Sequence, residues 1–319
     1  MPPVWLDAHL DLAYLALGGR DLTQPAPDDG CISLPALRAA NVEIAFATIF
    51  TAPNDDGPGG YRADDPDDAE RAGLAQLEVY ERLETAGELT IVRNKDDLER
   101  GPAPRIVLLM EGADPLRNPD SVAAWHERGL RVVGLTWSRG TRYAGGNASG
   151  GPLTPAGVEL VAALDTSGIT HDLSHLSDEA CDGVLTQSQG RVVASHSNAR
   201  TLVPGVRQLR DEHLRVIAER RGVVGVNLFT KFLHPTRRAT IADVVAHVEH
   251  LSVTMGARDL VGLGSDADGG FGPGDLPEGL DHPARWPALA TALTAAGWRP
   301  AEVAGFRSGN WRRFLEETL

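Results

Sequence analysis

RIVLLMEG, residues 105–112, decides the fold. It is a near-continuous apolar run, the pattern of a strand buried on both faces in a parallel sheet. Seven stretches of the same kind accompany it: VWLDAH (4–9), EIAFATIF (43–50), RVVGLT (131–136), ITHDLS (169–174), RVVASHS (191–197), GVVGVNL (222–228) and DLVGLGSD (259–266). Between them, 67–87, 154–168, 211–222 and 240–256 carry apolar residues at helical spacing. In the second of these, Thr154 is placed to cap the start, Pro155 takes the first helical position and Gly168 stands where a helix stops. Eight strand–helix units predict an α/β fold, a TIM-type (β/α)8 barrel with metal-dependent hydrolase architecture, spanning 1–319 as a single catalytic domain. A doubly wound open sheet is the structural alternative. No Gly-x-Gly-x-x-Gly follows any strand, which weakens its nucleotide-binding version.

The chain has 319 residues, 42% hydrophobic and 23% charged, enough apolar material for one substantial core. Its formal charge of -14 argues against nucleic acid as a partner, because phosphate binding needs a basic surface. Cys31 and Cys181 are the only cysteines and read as buried thiols in a reducing compartment. The start, MPPVWLDAHLDL, lacks the basic beginning and long apolar run of a signal peptide. No stretch reaches the ~18 consecutive apolar residues of a membrane span. The expectation is a soluble, cytoplasmic protein. Residues 54–68 read as a mobile loop and 268–279 as a Gly-rich one, both expected at the catalytic face of the barrel.

Chemistry-bearing residues fall at strand ends. His9 and Asp11 end the first strand, Glu111 the third, His196 the sixth and Asp266 the eighth, while His175 follows the fifth. Taken singly, each has an ordinary explanation as a helix cap or a half-buried histidine. Together they reach the C-terminal mouth, where such enzymes build their sites. His9 and Asp11 are two residues apart, so on a strand they face the same way. Imidazoles and carboxylates are the donors that zinc takes, and two zincs need a bridging ligand. Many barrel hydrolases use a carbamylated lysine for that. Lys95 and Lys231 are the only lysines and neither lies at a suitable strand end, so Glu111 is the best bridge.

The chain resembles the renal (membrane) dipeptidase family over nearly its whole length. The matching segments are DAHLDL (7–12), LLMEGADPL (108–116), LTPAGVELV (153–161), DLSHLSD (172–178), VVASHSNAR (192–200), GVVGVN (222–227), GLGSDADG (262–269) and the closing VAGFRSGNWRRFLEE (303–317). The resemblance implies two zinc ions per chain, with His9 and Asp11 on one, His175 and His196 on the other, and Glu111 between. It implies Asp266 as the acid–base residue and Arg207 as the anchor for a substrate carboxylate, with Arg200 the competitor. The implied reaction is hydrolysis of a small dipeptide by a metal-bridging hydroxide, with a homodimer as a possible assembly; the absence of nucleic-acid and membrane partners is expected from charge and hydropathy instead. One position departs from the family: Trp137 stands where well-studied members have a histidine thought to bind the developing oxyanion. An indole N–H donates one hydrogen bond but cannot become a cation. Arg139, Arg142 and Tyr143 are the candidate substitutes, and Trp137 itself is expected to touch substrate. The alternatives are a binuclear hydrolase of other small amides or esters, such as N-acyl amino acids, and a non-catalytic metal-binding barrel serving as a scaffold.

Overall fold

Each of the eight apolar runs becomes a parallel strand in the computed structural model, which describes residues 4–319. The strands are β1 (Trp5–Leu10), β2 (Val42–Phe50), β3 (Arg105–Glu111), β4 (Leu130–Gly134), β5 (Thr170–Asp172), β6 (Val192–Val193), β7 (Val224–Val226) and β8 (Val261–Leu263). They pair in the order β7-β8-β1-β2-β3-β4-β5-β6. A parallel bridge between Ala194 and Val224 brings the two ends of that series together. The result is the expected barrel and not an open sheet.

The later strands are shorter than their apolar runs because two buried carboxylates replace the ladder. Asp7 Oδ1 accepts the backbone N–H of Ser265 at 2.7 Å, just beyond β8. Asp172 Oδ1 accepts the N–H of Ser195 at 2.9 Å and of Ser174 at 3.0 Å, beyond β6 and β5. The backbone donors stay satisfied, as buried N–H groups must, while the chain bends outward at the mouth.

The core has two parts. Leu6, Ala8, Phe46, Val107, Leu109 and Val132 fill the barrel, together with Trp311 and Phe314 from the closing helix (Asn310–Thr318). Trp311 Nε1 donates to Leu263 O at 3.1 Å and its ring lies 5.0 Å from that of Phe46, so this helix plugs the barrel. A larger cluster lies between the barrel wall and the outer helices. Those helices begin and end as their sequence dictates. Pro155–Thr166 starts with Thr154 Oγ1 accepting from Gly157 N at 3.0 Å, and Gly168 follows its end at φ +69°. Pro66–Thr85, Asp211–Glu219 and Ile241–Thr254 cover the other expected helical stretches.

The segment 54–68, expected to be a mobile loop, is tied down. Ala52–Pro53 pairs in parallel with Gly60–Tyr61, and the Tyr61 hydroxyl donates to Asp114. Asp268 does the same for the Gly-rich loop after β8, accepting from Cys31 N and Ile32 N at 2.9 Å each and from Arg20.

Behind the mouth the backbones pack too closely for side chains. A Cβ on Gly225 would stand 1.9 Å from Ser195 O, a backbone atom that cannot rotate away. Gly225→Ala is therefore expected to destabilise the protein by ~3 kcal/mol, at the upper end for overpacking, read as a lowered urea midpoint. An unchanged midpoint would show that the closure at β6 and β7 can yield.

Candidate metal centre

His9 reaches the mouth by a device that simple alternation does not contain. Asp7 pairs with Ala45 and Leu10 with Ala47, so three steps along β1 match two along β2. This bulge turns His9 inward beside Ala8, as bulges commonly do at barrel rims. Asp11 lies just past the strand, as the residue preceding the helix Leu12–Leu17, and its Oδ1 accepts from Thr48 Oγ1. Glu111 is the last residue of β3 and points the same way as Val107 and Leu109. His175, His196 and Asp266 stand three residues beyond β5, β6 and β8, in the loops rather than at the strand ends. His175 and Asp266 adopt left-handed backbone, φ 65° and 59°. That conformation costs a non-glycine residue of order 1–3 kcal/mol and collects at functional sites.

The structure brings these six residues into one buried cluster. Glu111 Oε2 lies 3.4 Å from His9 Nε2; Glu111 Oε1 lies 3.0 Å from His175 Nε2 and 3.6 Å from His196 Nε2. One carboxylate thus presents an oxygen to each side. Three sets of donor atoms converge closely enough to share an ion among the described residues: His9, Asp11 and Glu111; Glu111, His175 and His196; and His9, His196 and Asp266.

Hydrogen bonds on the far side of each ring test whether a cation fits. His175 Nδ1 faces Asn147 Oδ1 at 3.1 Å, an acceptor, so the proton sits on Nδ1 and Nε2 carries a bare lone pair. His196 Nδ1 faces Ser195 Oγ at 2.8 Å, and that hydroxyl donates to Asp172 Oδ2 at 2.5 Å. The Nε2 of His196 is therefore bare as well. The two Nε2 atoms are 3.0 Å apart, and Glu111 Oε1 beside them is buried without a hydrogen-bond partner of good geometry. Three lone-pair atoms crowded together with no proton between them repel unless a cation sits among them. The donor set suits a metal.

The electrostatics agree. Burial, then the charge of Arg207, holds His175 down at about 4, and burial holds His196 well below its ordinary value, so both are neutral as ligands must be. Burial opposes charge on His9, but Glu111, Asp11 and Asp266 overcome it and raise the imidazole to about 10, so its ring carries a proton that a bound cation would have to displace. Burial likewise opposes ionisation of Glu111, yet the charge of His9 keeps it well below the usual carboxylate range. Asp266 is pushed up to about 7 by burial and by its neighbours Asp11 and Glu111, against the pull of His9.

A cavity of about 380 Å³ opens over the cluster. Its walls include Asp11, Glu111, His175, His196 and Asp266, and six aromatic residues: Tyr14, Phe50, Trp137, Phe229, Phe232 and Phe271. Trp137 stands edge-on to Phe50 at 5.3 Å and 6.1 Å from the His175 ring, so it does face the site. Arg142 is held by Asp114 at 2.9 Å and the Tyr143 hydroxyl by Leu116 O, which takes both away from the role left open by Trp137. Arg139 sits at the rim, paired with Asp55 at 3.2 Å.

Arg207 is not itself a cavity wall. It is 9% exposed and donates to His196 O at 2.6 Å and Ser197 Oγ at 2.9 Å, against the back of the cluster. Its competitor Arg200 is committed to Asp178 at 2.7 and 2.8 Å. Lys95 and Lys231 are exposed and stand away from the cluster, Lys95 donating to Glu316 O and Lys231 lying over Phe229. Sequence reasoning missed Asn147, Asp172, Ser195 and Asn227, whose Nδ2 donates to Asp266 Oδ2 at 2.8 Å. Asp172 and Ser195 share segments with His175 and His196, whereas Asn147 and Asn227 stand in stretches that hold no ligating residue and gave no signal.

A family model described as membrane dipeptidase (peptidase family M19) matches residues 3–319. Among curated relatives, an uncharacterised Klebsiella pneumoniae protein from the pqqA 5′ region is 31% identical, over 76% of this chain and 94% of its own length. Mouse dipeptidase 3 is 29% identical over 78% of this chain, and the match spans about half of it, 52%. Among solved structures, a Rhodobacter sphaeroides metallopeptidase bound to a phosphinate mimic of the dipeptide L-Ala-D-Ala superposes with TM-score 0.87 at 28% identity, over 99% of both chains. Dipeptidase AC, an M19 metallopeptidase, gives 0.88 at 29% identity, over 100% of this chain and 99% of its own.

If Glu111 joins two ions, Glu111→Gln removes the charge both share. Metal content after dialysis, read by plasma mass spectrometry, should fall from about two ions per chain to one or none, with unchanged circular dichroism. Two ions retained would contradict the bridging role.

Proposed function

The chain belongs to the membrane dipeptidase family, and on that premise we propose that it hydrolyses dipeptides at a two-zinc centre. The observation that carries this reading is the placement of Glu111, one oxygen toward His9 and the other toward His175 and His196. His9 and Asp11 would hold one ion, His175 and His196 the other, and Glu111 both. Two such ions supply a water of lowered pKa and a polarised carbonyl, the chemistry that amide cleavage needs near neutral pH.

The protein's own residues do the rest. Asp266 is half-buried, with Oδ2 held by Asn227, which leaves Oδ1 to take a proton from the attacking water and return it to the leaving amine. Arg207 makes no ion pair among the described residues, so its charge remains to attract a free C-terminal carboxylate near the cluster. A requirement for that carboxylate would confine the enzyme to short peptides. The aromatic walls favour dipeptides with apolar side chains, and a cavity of about 380 Å³ is of small-molecule size. Cys31 and Cys181, buried and unpaired, fit a cytoplasmic location; no helix among the described residues is long and apolar enough to cross a membrane.

Trp137 favours a second reading. Without the family histidine, the centre loses a cationic partner for the developing oxyanion, and other small amides or esters become competing substrates. A panel of apolar dipeptides, N-acyl amino acids and esters separates the two. Chelator-sensitive cleavage of dipeptides with about two zincs per chain supports the first; metal-dependent cleavage of acyl amino acids or esters alone supports the second. Asp266→Asn should lower kcat by about 10²–10⁴-fold with metal content unchanged. Full activity in that variant would remove Asp266 from proton transfer.

A further inference from the structure

Ser195 lies between the two halves of the cluster and touches a ligand of each. Its Oγ is 3.2 Å from His9 Nδ1 and 2.8 Å from His196 Nδ1. A serine hydroxyl has one proton to give and two lone pairs to offer. The proton is already committed, to Asp172 Oδ2 at 2.5 Å. Asp172 is fixed as the acceptor in turn, since its Oδ1 takes the backbone N–H groups of Ser195 and Ser174. The Ser174 hydroxyl stands nearer to Ser197 Oγ, at 3.2 Å, than to Ser195 Oγ, at 3.5 Å, so both lone pairs of Ser195 Oγ are left to accept, one from each imidazole. That arrangement puts a proton on Nδ1 of both rings and turns both Nε2 atoms toward the centre. The two rings lie with centroids 3.6 Å apart and 31° between their planes, so neither can swing far without meeting the other. His175, by contrast, has a private partner in Asn147.

We propose that Ser195, oriented by Asp172, is a positioning residue that sets the tautomer of one ligand in each metal site and so links the two affinities. This rests on the two-ion reading above. A carboxylate or hydroxyl behind a ligating histidine commonly governs metal affinity; here one hydroxyl serves two histidines on different ions. Losing it weakens both sites together, whereas losing Asn147 weakens only the one that His175 serves.

The test is a zinc titration of metal-free wild type, Ser195→Ala and Asn147→Ala, by calorimetry with a competing chelator. Wild-type protein taking up two zincs upholds the reading on which the proposal rests, independently of the variants. Ser195→Ala should then weaken both binding steps by about 10–100-fold, and Asn147→Ala only one. Ser195→Ala weakening a single step, or neither, overturns the proposal and leaves the two-zinc centre intact. Should Ser195→Ala fail to fold, nitrogen-15 long-range NMR of zinc-loaded wild type decides. His9 and His196 must both show a protonated Nδ1 and a zinc-bound Nε2; coordination of either through Nδ1 overturns the proposal.

Discussion

The site depends on one buried carboxylate placed among three imidazoles. Glu111 is 4% exposed, and its oxygens face His9 on one side and His175 and His196 on the other. A charge taken that far from water is costly unless it is paired. Here the pairing is lopsided: Glu111, Asp11 and Asp266 draw His9 toward its protonated form, a proton that a bound cation would replace, while His175 and His196 are neutral and turn bare nitrogens toward the same oxygen. The cluster has more negative charge and lone pairs than protons to satisfy them, a balance that a divalent cation restores. On this reading much of the mouth, from the left-handed His175 and Asp266 to the carboxylates behind them, serves to hold those donors in place.

The barrel makes that possible by letting side chains take over from the sheet. Asp7 and Asp172 stand in for ladder partners where β8, β5 and β6 end. Both also reach toward the cluster: Asp7 accepts the backbone N–H of His9 at 3.2 Å, and Asp172 holds Ser195. Closing the barrel and aiming the ligands are thus one set of hydrogen bonds. The hydrogen-bonded back of the site contrasts with its roof, where Phe229 packs against Phe232 and Phe271 with rings 4.9 and 4.6 Å apart. On the proposed function the first group sets the chemistry and the second the substrate choice, with Trp137 the wall where this chain parts from the family resemblance.

The eight strands were legible because burial on both faces leaves a mark that composition alone carries, as in RIVLLMEG. The cluster of His9, Asp11, Glu111, His175, His196 and Asp266 was legible because parallel strands in a barrel all deliver their C-terminal ends to one mouth. The reason given for His9 and Asp11 was not the operative one, since a bulge and a strand end replace simple alternation. Bulges depend on cross-strand register, which no local pattern reveals. Ser195 escaped notice for a related reason: it meets His9 across 186 positions of sequence, and a serine beside a histidine has no signature of its own. The aromatic walls were equally hidden, being assembled from residues as far apart as Tyr14 and Phe271.

The central claim is that Glu111 joins two metal ions. Anomalous diffraction at the zinc edge, from crystals of the zinc-loaded protein, tests it most directly. The account predicts two peaks roughly 3.5–4 Å apart, one on the Asp11 side of the Glu111 carboxylate and one on the His175 side. A single peak among His9, His196 and Asp266, with Glu111 outside its coordination sphere, would contradict it.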